Sequence, residues 1–372
     1  MNRLEEKIAE RIRREGPITF EAFMDMALYE PALGYYASED IEIGKAGDFY
    51  TSQHLHPVFG VMIGRQIEEM WEAMERPLHF NAIEPGAGAA LMAMDILTYL
   101  KDRDIFPAFR YVIIEPRSFM HERQNKLLAD FAGKVDWLNS LRDLESKTGC
   151  ILSNELLDAF PVHLVKMEDQ LKEIYVAFED HSFRETEGSP STAALDNYLR
   201  KFSIDLPVGY RTEINLRIKD WLKSAGAALS EGFILTIDYG YPARDYYGEE
   251  RNRGTLLSYY KHHVSEDVYH NIGQQDITAH VNFSSLKKWG EELGFRTLGL
   301  CQQGIYLISS GIDEVIKDLY ADSRDYLFEV AKIKRLIFPG TLGETHKVMI
   351  QYKGNRDPKL RGFMMKNQED RL

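Results

Sequence analysis

Residues 81–97 read Asn-Ala-Ile-Glu-Pro-Gly-Ala-Gly-Ala-Ala-Leu-Met-Ala-Met-Asp-Ile-Leu: a short apolar strand, an acid, a glycine-rich turn and a helix start. In this order an open, doubly wound α/β sheet receives a nucleotide-like ligand at the carboxyl end of a strand. The spacing narrows the ligand further. In a dinucleotide turn of the form G-x-G-x-x-G/A, the second glycine lets backbone approach a pyrophosphate, and the last small residue packs helix on strand. Five places after Gly86 this chain has Leu91, and the small residues fall at Gly86, Gly88 and Ala90 instead.

The resulting pattern, E-x-G-x-G-x-A from Glu84, is that of class I methyltransferases binding S-adenosylmethionine (SAM). A zwitterionic methionyl group needs an acid and free backbone nearby rather than a diphosphate cradle, so SAM is favoured over NAD. A lone glycine turn is weak evidence, because an ordinary tight turn before a helix looks similar. A second acid strengthens it: Arg110-Tyr111-Val112-Ile113-Ile114-Glu115 reads as the next strand, ending in a carboxylate placed to accept from two ribose hydroxyls. The 31 residues from Glu84 to Glu115 accommodate one helix and one connection, as a βαβ unit requires.

With 372 residues, 44% hydrophobic and 28% charged, the chain has the composition of a globular protein with one large decorated domain or two domains. A net charge of −13 argues against a nucleic-acid surface, which needs clustered Lys and Arg. Cys150 and Cys301 lie in apolar stretches without metal-ligand or C-x-x-C spacing, and read as buried thiols in a reducing compartment. The opening Met1-Asn2-Arg3-Leu4-Glu5-Glu6-Lys7 starts a mixed-charge amphipathic helix with no apolar signal core, and its acids argue against a presequence. No apolar run reaches the roughly 18 residues of a membrane span. These features together place the chain in a cytoplasm. Oligomeric state is not legible.

Along the chain, helices are expected over residues 1–14, from a Thr19 cap to Leu28 with Ile18 as a hydrophobic staple, and from Pro57 to Met74. Strands follow from Phe80, at 110–115, at Val135–Leu138 and at Cys150–Ser153, the last short and apolar as a strand buried on both faces should be. Segments 162–167 and 173–178 read as a hairpin, and Asp180 to Asp196 as a mobile loop. A fifth strand is expected at Phe233–Asp238, then strands near Arg296–Leu300 and His346–Tyr352. The expected fold is a class I methyltransferase, Rossmann-like doubly wound sheet with an N-terminal helical addition and insertions after the fourth and fifth strands. The divisions are 1–56, helical region and cofactor-covering loop; 57–161, first part of the core; 162–210, hairpin and loop insertion; 211–240, core continued; 241–282, substrate-side insertion; 283–353, end of core; and 354–372, a charged, frayed tail.

Ligands sit outside the carboxyl ends of the strands in such sheets. The fourth strand runs into Ser153-Asn154-Glu155-Leu156-Leu157-Asp158-Ala159-Phe160-Pro161, the fifth into Asp238-Tyr239-Gly240, and Gly47-Asp48-Phe49-Tyr50-Thr51-Ser52 lies close enough upstream to fold over a cofactor. From about Pro17 to Tyr352 these segments, with Gly34-Tyr35-Tyr36, the glycine turn, Gln275-Asp276-Ile277-Thr278-Ala279-His280-Val281 and Gly343-Glu344, resemble the MidA-like family of SAM-dependent methyltransferases. That resemblance implies SAM as cofactor, S-adenosylhomocysteine (SAH) as product, and a protein substrate presenting an arginine, in a family that includes a respiratory complex I assembly factor. The chain departs from the family pattern at Gln53-His54, at Ala90, where closeness alone is needed, and at Asn282.

The cofactor contacts expected on this reading are Gly47, Asp48, Thr51, Glu84, Gly86, Ala87, Gly88, Glu115, Leu141 and Asn154; the catalytic residues are Asn154, Glu155, Asp158, Asp238 and His280. Glu155 and Asp158, three apart on a turn beginning a helix, would face one opening, one gripping a guanidinium and the other helping proton loss. Each has a plainer reading: Asn154 as a helix cap, the two acids as favourable charge at a helix N-terminus, Asp48 as a turn cap, Trp137 as core rather than an adenine cover, His262 and His263 as surface. Two rival functions remain: a small-molecule methyltransferase using the Tyr-rich 241–260 stretch as a pocket, and a SAM-binding assembly factor without turnover.

Overall fold

The computed structural model describes residues 1–37, 56–261, 263–320 and 326–372. Two compact units divide the chain. One comprises the described residues of Tyr50–Leu156, Trp221–Gly240 and Leu286–Leu372, and carries the central sheet.

That sheet has strands β1 (Phe80–Pro85), β2 (Phe109–Ile114), β3 (Val135–Leu138), β4 (Lys147–Asn154), β5 (Leu229–Tyr241), β6 (Arg296–Gln302) and β7 (His346–Lys353), in the order β6-β7-β5-β4-β1-β2-β3. The pairings from β5 through β4, β1 and β2 to β3 are parallel; β7 runs antiparallel between β5 and β6. Parallel strands covered on both faces must be apolar throughout. Phe80, Ala82, Phe109, Tyr111, Cys150, Leu152, Phe233 and Leu235 accordingly lie in one buried cluster. Helix α1 (Val58–Ala73) presents Val58, Met62, Ile63, Ile67, Met70 and Trp71 to that cluster, the face its helical periodicity predicts. The chain enters mid-sheet at β1, builds outward to β3, and returns to the other side of β1 as β4. That reversal opens a crevice at the carboxyl ends of β1 and β4.

The tail is a correction to the sequence reading. Leu360 and Phe363 are buried in the core cluster, Phe363 lying edge-on to Tyr306 at 5.5 Å. Gln368 N–H donates to the Leu300 carbonyl at 2.7 Å, and the Asn367 side chain accepts from Leu300 N–H at 3.1 Å. β6 is an edge strand with backbone groups to satisfy, so this segment covers it instead of fraying.

The other unit comprises the described residues of Met1–Phe49, Leu157–Asp220 and Tyr241–Ser285. Its helices Arg3–Glu15 and Phe20–Tyr29 start where capping chemistry dictates: Asn2 and Glu5 form a capping box, and the Thr19 side chain accepts from Ala22 N–H. An antiparallel sheet joins Ile18–Thr19, Leu171–Glu179, His163–Met167 and Arg211–Ile214. Residues 180–196, read as a mobile loop, instead contain strand Ser182–Gly188 paired to Leu171–Glu179, and lead into helix Ala194–Lys201. The polar alternation of that strand reflects a hairpin with a solvated face. Within 241–282 a second sheet places Leu257–Tyr260 between His263–Ser265 and Asp276–Thr278.

Candidate functional site

In the sheet-bearing unit the turn after β1 takes the backbone through left-handed φ values: Gly86 at +70°, Gly88 at +53° and Ala90 at +61°. Ala90 therefore corrects the reading of that position. It is the N-cap of helix α2 (Leu91–Leu100), and an L-residue in this conformation costs about 1–2 kcal/mol, so more than closeness is asked of it. A cross-brace holds the turn. The Gln124 side chain, fully buried, donates to the Gly88 carbonyl at 2.9 Å and accepts from the Trp137 indole N–H at 2.9 Å. Gln124 was not among the expected residues; its signal is an amide on the buried face of helix α3 (Ser118–Leu127). Trp137 packs against the core, as its plainer reading had it.

Glu84, near the end of β1, is buried and accepts from the Tyr111 hydroxyl at 2.6 Å. Burial pushes its carboxyl up from the ordinary 4.5 to about 7, against the smaller opposite pull of that hydroxyl. The folded state thus binds a proton more readily than the unfolded chain. This favours folding fully below about 4.5, and the benefit is lost as pH rises to about 7. Glu84→Gln, permanently neutral, is expected to stabilise the protein by about 3 kcal/mol at pH 8 and to leave it unchanged near pH 4. Urea unfolding at the two pH values checks this; an equal effect at both would refute the assignment.

Glu115 follows β2 and is 1% exposed. Its carboxylate is engaged on both oxygens by Arg117, and its carbonyl meets His121 Nε2 at 2.6 Å. Leu141 is buried in a single helical turn after β3, with Ser140 capping that turn. Asn154 ends β4, and neither its amide nitrogen nor its oxygen has a hydrogen-bond partner among the described residues, although both atoms are buried. An unsatisfied buried amide costs about 1–3 kcal/mol, so this one marks a place for a polar ligand.

No helix follows Asn154, which corrects its reading as a cap and that of the two acids as helix-start charges. The carbonyls of the next residues are engaged elsewhere: Leu157 by the Asn215 amide, Asp158 by Ala279 N–H, Ala159 by the Tyr29 hydroxyl. Pro161 has no N–H to offer the first of them. Glu155 instead adopts a left-handed conformation, φ +45°, with its N–H donating to the Ile237 carbonyl at 2.9 Å. Its side chain, 4% exposed, lies 3.5 Å from Nε2 of the equally buried His346. The His346 ring stands edge-on to Tyr239 at 5.3 Å. His346 is a second residue missed in the sequence, where it reads as the first position of a strand. Asp238, expected as the last residue of the fifth strand, lies in β5, which runs on to Tyr241; it is buried, opposite Lys347 of β7, one oxygen accepting from Tyr239 N–H.

The structure thus brings Glu84, Gly86, Ala87, Gly88, Glu115, Leu141, Asn154, Glu155 and Asp238 to the strand ends of one unit. Asp158 and His280 belong to the other. There Asp158 is buried, and its charge with that of Asp276 adds to burial in pushing the Tyr29 and Tyr36 hydroxyls above their ordinary range. Tyr36 donates to Asp276 at 2.9 Å and stacks on Tyr29 at 5.5 Å. His280 N–H donates to the Thr255 hydroxyl, and its ring lies 5.4 Å from Tyr241. His263 is exposed. Gly47, Asp48, Thr51, Gln53, His54 and His262 lie outside the described residues. Among the described residues no cluster suits a metal ion, and no helix is long and apolar enough to cross a membrane.

This donor set fits an adenosyl amino acid: a buried carboxylate after β2 for a diol, a glycine turn with open backbone, an acid before it for an ammonium, and an unpartnered amide at β4. Comparison with known proteins agrees. Residues 62–301 match the model of a family of S-adenosyl-L-methionine-dependent methyltransferases. A methyl transferase superfamily member from Burkholderia thailandensis, crystallised with S-adenosyl-homocysteine, superimposes with a TM-score of 0.91 at 29% identity, covering 99% of this chain and 96% of that one. Among curated proteins, the mitochondrial protein arginine methyltransferase NDUFAF7 of Rattus norvegicus is 25% identical over 85% of this chain and 76% of its own length. Its Drosophila melanogaster homolog is 23% identical over 94% and 85%. Those names overturn the cytoplasmic placement. The acids behind that placement belong to helix initiation, Glu5 closing the capping box with Asn2, and carry no address.

Proposed function

Since the chain belongs to this family of SAM-dependent methyltransferases, we propose that its acceptor is an arginine side chain of a protein substrate. The observation that carries the choice of acceptor is the set of relatives named protein arginine methyltransferases, matched over most of both chains. Glu155 supports it chemically. A guanidinium is protonated and delocalised, and a buried carboxylate binds its planar fork with directed, charge-assisted hydrogen bonds.

In this reading Glu115 accepts from the ribose hydroxyls, the turn Gly86–Gly88 leaves backbone open to the methionyl end, Glu84 offsets the ammonium, and Leu141 and Asn154 complete the cofactor contacts. The bound cofactor supplies an electrophilic methyl on a sulfonium. Glu155 holds the guanidinium so that one nitrogen points its lone pair along the line of displacement. A nitrogen–carbon bond forms, the carbon–sulfur electron pair stays on sulfur, and the nitrogen sheds one proton. His346, 3.5 Å from Glu155, is an available base within the same unit. Asp238 buttresses the β5 end.

Transfer of isotope-labelled methyl from SAM into an extract of cells lacking this protein, followed by acid hydrolysis, is expected to yield methylarginine. Protein without label, with SAM binding verified separately, would refute the arginine reading. A labelled small molecule would then identify that rival, and no labelled product at all the non-catalytic one.

A further inference from the structure

One residue grips the Glu115 carboxylate three times. Arg117 donates its backbone N–H to Oε1 at 3.1 Å, its Nε–H to the same oxygen at 2.6 Å, and an Nη2–H to Oε2 at 2.7 Å. The carboxylate is 1% exposed and the Arg117 side chain 21%. An ionised carboxylate offers about four lone-pair sites, so these contacts take about three. A vicinal ribose diol brings two O–H donors to the same group. Two donors do not fit one remaining site, and at least one Arg117 contact must be released when a diol arrives.

Arg117 is built to release it. It is the residue immediately before helix α3, makes no side-chain cap bond there, and reaches solvent. The Phe119 ring, its centroid 5.8 Å from the guanidinium carbon, already neighbours the cation and remains beside it when the carboxylate is released. Without a cation, the buried carboxylate would be left unpaired in the unliganded protein, which is costly.

We propose that Arg117 is an internal stand-in for the ribose diol: it satisfies Glu115 before the cofactor binds and is exchanged for the diol on binding, so that it lowers affinity for adenosyl ligands and favours release of SAH. This rests on the reading of Glu115 as the ribose contact.

Calorimetric titration of the whole chain with SAH tests it. Arg117→Ala is expected to bind SAH about tenfold more tightly than wild type, and Arg117→Lys, a point charge that cannot fork, about threefold more tightly. With an SAH analogue lacking the 2′- and 3′-hydroxyls, wild type and Arg117→Ala should bind alike, because the exchange has no diol to drive it. If Arg117→Ala does not fold, Arg117→Lys with both ligands carries the test. Equal or weaker SAH binding by the variants would overturn the proposal while leaving the cofactor reading intact, and a gain that persists with the analogue would do the same. Wild type failing to bind SAH would overturn the cofactor reading itself, and the proposal with it.

Discussion

Gly149→Ala is expected to prevent the sheet-bearing unit from folding. A Cβ at this position would stand 2.0 Å from the Asn81 carbonyl oxygen and 2.7 Å from its nitrogen. Those are backbone atoms of β1, the register partner of Gly149 in β4, and no rotamer change moves them. The next strand is as tight: a Cβ on Gly232 of β5, paired with Gly149, would lie 1.9 Å from the Gly149 carbonyl. Overpacking that flexible side chains absorb costs about 1–3 kcal/mol. Here two central strands, β1 and β4, would have to part at Asn81 and Gly149, breaking ladder hydrogen bonds in the middle of the core. More than about 4 kcal/mol is expected, against a total stability of about 5–15 kcal/mol. The check is urea unfolding of wild type and variant beside soluble yield. A variant within about 1 kcal/mol of wild type would show that the strands part easily, and the packing argument would be wrong. The same strain would reach function, since β1 and β4 carry the glycine turn and Asn154 at their other ends.

Much of this arrangement was legible because buried parallel strands advertise themselves. Phe80, Cys150-Ile151-Leu152 and Phe233 onward are short apolar runs bounded by turn residues, and the structure places strands at each. Spacing alone separated the E-x-G-x-G-x-A turn from a dinucleotide turn. The illegible parts depend on what is far away in sequence. That β7 lies antiparallel between β5 and β6 is a property of the assembled sheet, not of residues 346–353. The tail reads as solvated charge because only two apolar residues, Leu360 and Phe363, anchor it in the core, and its remaining support comes from polar contacts to distant residues, among them Gln368 and Asn367 on Leu300 of β6 and Arg361 N–H on Glu69. The helix expected after Asn154 loses its carbonyls to tertiary donors, a competition local propensity cannot show. His346 and Gln124 were missed for the same reason: one looks like a strand start, the other like an ordinary helical amide, until burial and partners single them out.

Glu155→Gln is expected to lower methyl transfer about 10²- to 10³-fold while changing SAH affinity less than about threefold. The starting point is strain. A residue with a side chain held at φ +45° costs about 1–3 kcal/mol and persists where the surroundings impose it, commonly at functional sites. Its N–H is fixed on the Ile237 carbonyl, so the backbone aims the carboxylate rather than the reverse. Glutamine keeps that backbone and nearly the same volume, and so preserves the fold. What it loses is the charge: it presents one acceptor oxygen and an amide donor where a guanidinium fork requires two acceptors. It also leaves His346 without its anionic neighbour at 3.5 Å. On the proposed reading cofactor binding depends on Glu115, the glycine turn and Asn154, none of which the substitution changes. Steady-state methyl transfer to an arginine-containing acceptor, paired with calorimetry on SAH, separates the two effects. Activity within tenfold of wild type would remove Glu155 from the acceptor site. A parallel collapse of SAH binding would instead reassign it to the cofactor, and the grip on the guanidinium would have to come from another carboxylate.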